Sequence, residues 1–156
     1  MKTKFLLITL LITSLSVFSQ NLPDVAIPNE KFNPEKDVIP FVIIDEAPRF
    51  KKCKKITGEE LKKCFENQLD DFINDELKYP EPYKKDTLTA RVYVTFKINR
   101  KGEIIDIYTR SNLKGKELFE KEIKRIINAI PKLKAGKYKG EKVTTTYSKA
   151  ISISPE

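Results

Sequence analysis

Between residues 57 and 153 the apolar positions change period three times, and each change predicts an element. After Thr57, the residues Leu61, Phe65, Leu69, Phe72, Ile73 and Leu77 fall on one helical face, which predicts an amphipathic helix over 58–77. Thr57 and Glu60 have the spacing of a capping box at its start, and Pro80 and Pro82 stop the hydrogen-bond ladder at its end. From Ala90 the period becomes two. Ala90, Val92, Val94, Phe96 and Ile98 point one way while Arg91, Tyr93, Thr95 and Lys97 point the other, as in a half-buried strand. Residues 99–102 make a turn in which Gly102 supplies a positive φ, and 103–110 return as a second strand to form a hairpin. Phe119, Ile123, Ile126, Ile127 and Ile130 then restore a helical stripe, with Glu117 to Lys121 and Glu120 to Lys124 as i, i+4 pairs, and Pro131 ends that helix. Residues 143–153, rich in Thr, Tyr and Ile, read as a last strand.

These pieces predict an α+β domain. A right-handed strand, helix, strand step makes the last strand parallel to the second, which is antiparallel to the first. The expected sheet is therefore three-stranded and antiparallel, in the order 2-1-3, with both helices on one face and an extended N-terminal segment outside it. The last strand then becomes an edge. It carries no proline in its middle, and an open edge is a place to add a partner's strand. The candidate peptide-binding residues are Val143, Thr144, Thr145, Thr146, Tyr147 and Ser148, the backbone supplying the ladder and Tyr147 the side-chain selectivity. The apolar run at 39–44 is long enough for a strand or for a stripe along the body, with Pro40 arguing for an edge. Whether it covers the last strand is left open.

The first residues follow a different logic. Lys2 and Lys4 precede an apolar run at 5–12, and Val17, Phe18 and Ser19 suit a cleavage site, so 1–19 read as a signal peptide cut near Ser19. The alternative is an uncut membrane anchor, although the 14 residues at 5–18 fall short of the roughly 20 that a spanning helix needs. Residues 20–38 form an extended, proline-containing lead-in, and 39–156 form the folded domain. Export places Cys53 and Cys64, the only two cysteines, in an oxidising compartment where a structural disulfide is expected; free thiols are the other reading. Closing so short a loop stabilises by about 2.5–3 kcal/mol.

Composition narrows the chemistry. The chain has 156 residues, room for one domain, and no histidine, which removes histidine bases, histidine metal ligands and histidine-activated nucleophiles. Asp70 with Asp71, and Asp75 with Glu76, are adjacent acids whose side chains cannot face one another on a helix, so they form no carboxylate dyad. No nucleophile elbow or phosphate-binding glycine loop occurs. We therefore expect no catalytic residues, no metal and no cofactor. Lys and Arg total 30 against 22 Asp and Glu, a formal charge of +8. Lys51, Lys52, Lys54, Lys55, Lys62 and Lys63 cluster near the cysteines and could hold an anionic glycan, a lipid headgroup or nucleic acid, but without interleaved aromatic residues they read as a solvated face.

One resemblance rests on ordered motifs. YP at 79–80, ARVYVTFKIN at 90–99, KGEIID at 101–106, IPKLKAG at 130–136 and KGEKV at 139–143 resemble the TonB C-terminal domain. In that family YP precedes RVxVxFxIxxxGxIxD, then a helix ending in PxxxxG, then KGxxV leading into the last strand. DEAPRF at 45–50, with Cys53 and Cys64, is similar to the version found in Bacteroidetes-type bacteria. The resemblance implies a non-enzymatic periplasmic domain whose last strand pairs with the periplasm-facing segment of an outer-membrane transporter. It also implies, as the alternative, a membrane-anchored energy transducer with an uncleaved N-terminal helix. A weak homodimer through the same open edge is a further expectation.

Overall fold

A computed structural model of the chain describes residues 31–80, 90–111 and 117–153. The expected leader at 1–19, and the lead-in as far as residue 30, lie outside the described residues. The folded body runs from Phe32 onward.

Strand β1 is three residues, Val38–Pro40, followed by a 3-10 turn at Phe41–Ile43. Helix α1 spans Gly58–Glu76 and buries Leu61, Phe65, Leu69 and Ile73, the stripe expected from the periodicity. The capping box does not form. Thr57 occupies the N-cap with extended backbone, but its side chain makes no capping bond, leaving Glu59 and Glu60 to complement the positive helix end.

Strand β2 is Ala90–Ile98, and Val92, Val94, Phe96 and Ile98 are essentially fully buried, as the alternation required. In the turn that follows, Asn99 Oδ1 accepts the N–H groups of Lys101 and Glu103. Gly102 lies at φ +82°, and its carbonyl accepts from Leu133 N at 2.8 Å. A Cβ there would sit 1.8 Å from the Leu133 carbonyl oxygen, so glycine is required by both conformation and space. Strand β3 is Ile104–Ser111; its pairing with β2 shifts between Thr95 and Lys97, opposite Asp106 at φ +51°. Lys97 Nζ meets Asp106 Oδ2 at 2.8 Å across this bulge.

Helix α2, Glu117–Asn128, buries Phe119, Ile123, Ile126 and Ile127. Glu120 accepts from the Ser111 amide, tying the helix back to β3. A small hairpin follows, β4 at Lys137–Tyr138 and β5 at Glu141–Lys142, turning through Lys139 and Gly140 at φ +51° and +81°. Two successive positive φ values make a type I′ turn, which matches the right-handed strand twist. Strand β6, Thr144–Ile153, ends the described chain.

The α+β class and the two helices stand, and the sheet expectation is corrected. The main sheet has four strands in the order β1-β6-β2-β3. Its β3, β2 and β6 reproduce the antiparallel order 2-1-3, but β1 adds on the far side of β6 and runs parallel to it, so the sheet is mixed. Three residues interrupted by a proline carry almost no strand signal of their own; only burial of Ile39 and Phe41 against the body decides their place. One hydrophobic cluster, fed by both helices, β2 and β6, fills the single covered face.

Candidate functional site

The site is built on β6, whose two faces differ by residue parity. Thr145, Tyr147, Ile151 and Ile153 are buried on the helix side, while Ser148, Ala150 and Ser152 face solvent. Strand β2 pairs along its whole length, from Ala90 opposite Ile153 to Ile98 opposite Thr145. On the other side β1 pairs only with Thr144, Thr145 and Thr146, because Pro40 lies opposite Thr146 and the chain then turns away as a 3-10 helix. From Tyr147 to Ile153, no strand among the described residues occupies that side. Proline explains the stop, since it has no N–H to donate to a further rung.

The expected site residues divide accordingly. Val143 precedes β6, is fully buried, and donates its N–H to Gly136 O at 3.1 Å. Thr144, Thr145 and Thr146 are covered by β1, so the expectation that they stand at an open edge is corrected. Tyr147 points inward with only 6% exposure. Its ring lies 4.8 Å from that of Phe41, 5.3 Å from Phe65 and 5.6 Å from Phe96. Burial first, then the charges of Glu66 and Asp70, push its phenol well above the usual value. Ser148 is exposed, and its hydroxyl lies 2.9 Å from Thr95 Oγ1 on the solvent face.

Residues the sequence reading did not assign complete the edge. Lys149 belongs to the inward face, where its Nζ is 2.9 Å from Asp70 Oδ1 on α1. Val42 and Ile43, 76% and 55% exposed, stand at the corner where β1 ends, and Lys62 Nζ donates to Val42 O at 3.2 Å. The apolar run at 39–44 was the only signal for this corner.

Two devices hold the surroundings rigid. Cys53 and Cys64 are joined in a disulfide that ties the segment after Phe50 to α1. Arg125 of α2 bonds Glu122 through Nε and Nη2, both at 2.9 Å, and donates from Nη2 to the carbonyl of Glu76, the last residue of α1, at 2.8 Å. Helix α1 has no basic residue in its last turn, so α2 supplies the cation that its carbonyls need. The bonds from Arg125, with help from the Lys78 N–H, hold the Glu122 carboxyl below its ordinary value despite partial burial.

Among the described residues, no helix is long and apolar enough to cross a membrane, and no three His, Cys, Asp or Glu side chains are grouped to hold a metal ion. No curated protein matches the chain. Residues 75–152, half of the sequence, match the family described as the Gram-negative bacterial TonB protein C-terminal. That family is one of non-enzymatic energy transducers in TonB-dependent transport, periplasmic or membrane-anchored, whose C-terminal domains contact outer-membrane transporters. The match runs from the end of α1 through the hairpin, α2 and β6, so the chain belongs to the TonB C-terminal family.

Proposed function

We propose that this domain is a periplasmic adaptor, exported and free of catalysis, that takes up an extended segment of a partner as a new strand beside residues 147–153 of β6. The partner is the periplasm-facing segment of an outer-membrane transporter. The observation that carries the reading is the end of β1 at Pro40, opposite Thr146, with no strand beyond it among the described residues. An added strand would continue the line of β1. Its backbone would use the unpaired groups of β6, its inward residues would meet Ile151 and the Lys149–Asp70 pair, and its end would abut Val42 and Ile43.

The test is an amide-resolved NMR titration of the chain with a synthetic peptide copied from such a transporter segment. Shifts and slowed amide exchange concentrated at 147–153 are expected. Perturbation confined to β3, the other edge of the sheet, would reject the assignment.

The anchored-transducer reading uses the same docking edge and differs only at the N terminus. The apolar run at 5–12 is what keeps it in view. Mass spectrometry of the mature protein separates the two: a start near Gln20 excludes the anchor.

A further inference from the structure

The lysine cluster near the cysteines is only half of a larger feature that the fold assembles. Backbone bonds join Arg49 and Lys134 in both directions, Arg49 N to Lys134 O at 3.0 Å and Lys134 N to Arg49 O at 2.9 Å. This bridge lays residues 49–55 against 132–134, some 80 positions apart in sequence. Between them lies a cleft of about 480 Å³ lined by Arg49, Lys51, Lys54, Lys55, Lys132 and Lys134, with Phe50 and Leu133 as its floor. Among the described residues no carboxylate lines it. A neighbouring cleft shares Lys132 and Lys134 and adds Arg100, Lys101, Lys137 and Lys142 with one carboxylate, Glu46, so the mostly positive surface continues toward the β2–β3 turn.

Bringing these charges together is unfavourable, and the fold opposes it with little compensation. Glu46 is divided between Arg49 at 3.2 Å and Lys137 at 3.3 Å, Glu35 meets Arg100 at 3.3 Å, and Glu103 meets Lys132 at 3.4 Å while also accepting from the Asn99 side chain. Among the described residues no carboxylate pairs with Lys51, Lys54, Lys55 or Lys134. The loop is nonetheless held in place. Cys53 is bonded to Cys64, Arg49 Nη1 donates to the Cys53 carbonyl at 3.2 Å, and Lys55 is kept at φ +61°, a conformation an L side chain seldom takes. The Nε of Arg49 is buried without a partner. A rigid cluster of cations, four of them without a carboxylate partner among the described residues, is an anion site awaiting its counter-charge.

The chemistry of the lining narrows the ligand. A side-chain-mediated protein interface centres on an anchor seated in a pocket, yet Phe50 and Leu133 are 7% and 5% exposed and offer almost nothing to grip. Nearly all the cations are lysines, compact point charges without the fork that reads one fixed geometry. A broad lysine surface without an insertion anchor suits a plane of phosphates. We propose that this face of the domain docks on anionic phospholipid headgroups, contacting their phosphates through Lys51, Lys54, Lys55 and Lys134. The cleft lies by the β2–β3 turn, at the end of the sheet where β6 begins, whereas residues 147–153 run away from it. Lipid contact and strand addition therefore use separate surfaces, and either stands if the other fails.

The test is co-sedimentation of the whole chain with vesicles of phosphatidylcholine alone and of phosphatidylcholine mixed with phosphatidylglycerol. Binding to the anionic vesicles only is expected, weakening as salt is raised above about 0.1 M. A lysine beside an anionic surface contributes about five-fold to binding, so Lys54→Gln with Lys134→Gln should weaken it about 25-fold. Lys121→Gln with Lys124→Gln removes the same charge from the exposed side of α2 and should change it less than about three-fold. All four lysines are exposed, so the helix signal in circular dichroism should be unchanged in both variants. Equal loss in the two variants, equal binding to neutral vesicles, or no binding to anionic vesicles overturns the proposal. So does capture of an oligoglutamate peptide, or of inorganic pyrophosphate, by a protein that ignores the vesicles.

Discussion

Lys149 of β6 reaches across the inner face of the sheet to Asp70 of α1, with 2.9 Å between Nζ and Oδ1. A charge turned inward on a sheet edge is a known defence against unwanted strand pairing, because a second copy stacking there must bury it. The open stretch of β6 is thus guarded rather than sticky. It can accept a segment able to accommodate the ammonium group while resisting uncontrolled association.

Replacing that lysine tests the guard. Lys149→Val should leave stability within about 1 kcal/mol, since the pair is partly solvated. It should also raise self-association, read as a concentration-dependent sedimentation coefficient. A variant that stays as monomeric as the wild type would show that Lys149 does not protect the edge.

The disulfide should matter to stability without touching the edge. Cys53→Ser with Cys64→Ser is expected to lower unfolding free energy by about 2.5–3 kcal/mol, through the lost loop closure in the unfolded chain. Urea denaturation measures it. The mutant should still bind a transporter peptide, because neither sulfur lies on β6.

Two glycines separate space from conformation. Gly140→Ala meets no atom within 4 Å and is penalised only for φ +81°, by about 1 kcal/mol. Gly102→Ala carries the same conformational penalty and drives a methyl into the Leu133 carbonyl, so its cost should be clearly larger, about 3 kcal/mol or more. Similar melting temperatures for the two would contradict the close approach.

Tyr147 should behave as a core residue. Truncation to Ala should cost about 3–5 kcal/mol, whereas Tyr147→Phe should keep the aromatic cluster with Phe41, Phe65 and Phe96 nearly intact. Peptide affinity of the Phe variant should match that of the wild type; a selective loss of affinity at unchanged stability would return the residue to the binding surface.

Acid should loosen the junction of the two helices. The carboxyl of Glu122 titrates below its ordinary value of 4.5 in the folded protein, chiefly because Arg125 bonds it. Its contribution is therefore complete above about pH 4.5 and is lost as the pH falls through the lower folded value. Glu122→Gln should be less stable than the wild type at neutral pH, and its stability should decline less steeply in acid. Parallel pH profiles for the two proteins would remove Glu122 from the account.

Much of this protein was readable along the chain because its elements carry local periodicity. The stripe Leu61, Phe65, Leu69, Ile73 and the alternation Val92, Val94, Phe96, Ile98 each determine which side must leave water, and burial followed them closely. Gly102 announced its turn because only glycine takes that φ without penalty. What local pattern cannot express is contact between distant segments. The three-residue β1 is held by pairing across a hundred positions, and it alone divides β6 into a covered half and an open one. Tyr147 alternates correctly, yet its inward direction depends on the register with β2, where Phe96 stands opposite it. Lys51–Lys55 and Lys132–Lys134 are two unremarkable basic runs until the Arg49–Lys134 bridge makes them one surface. Burial is a demand that each residue makes for itself, and so it is written in order along the chain; edges and clefts are relations between segments, and only the closed fold supplies them.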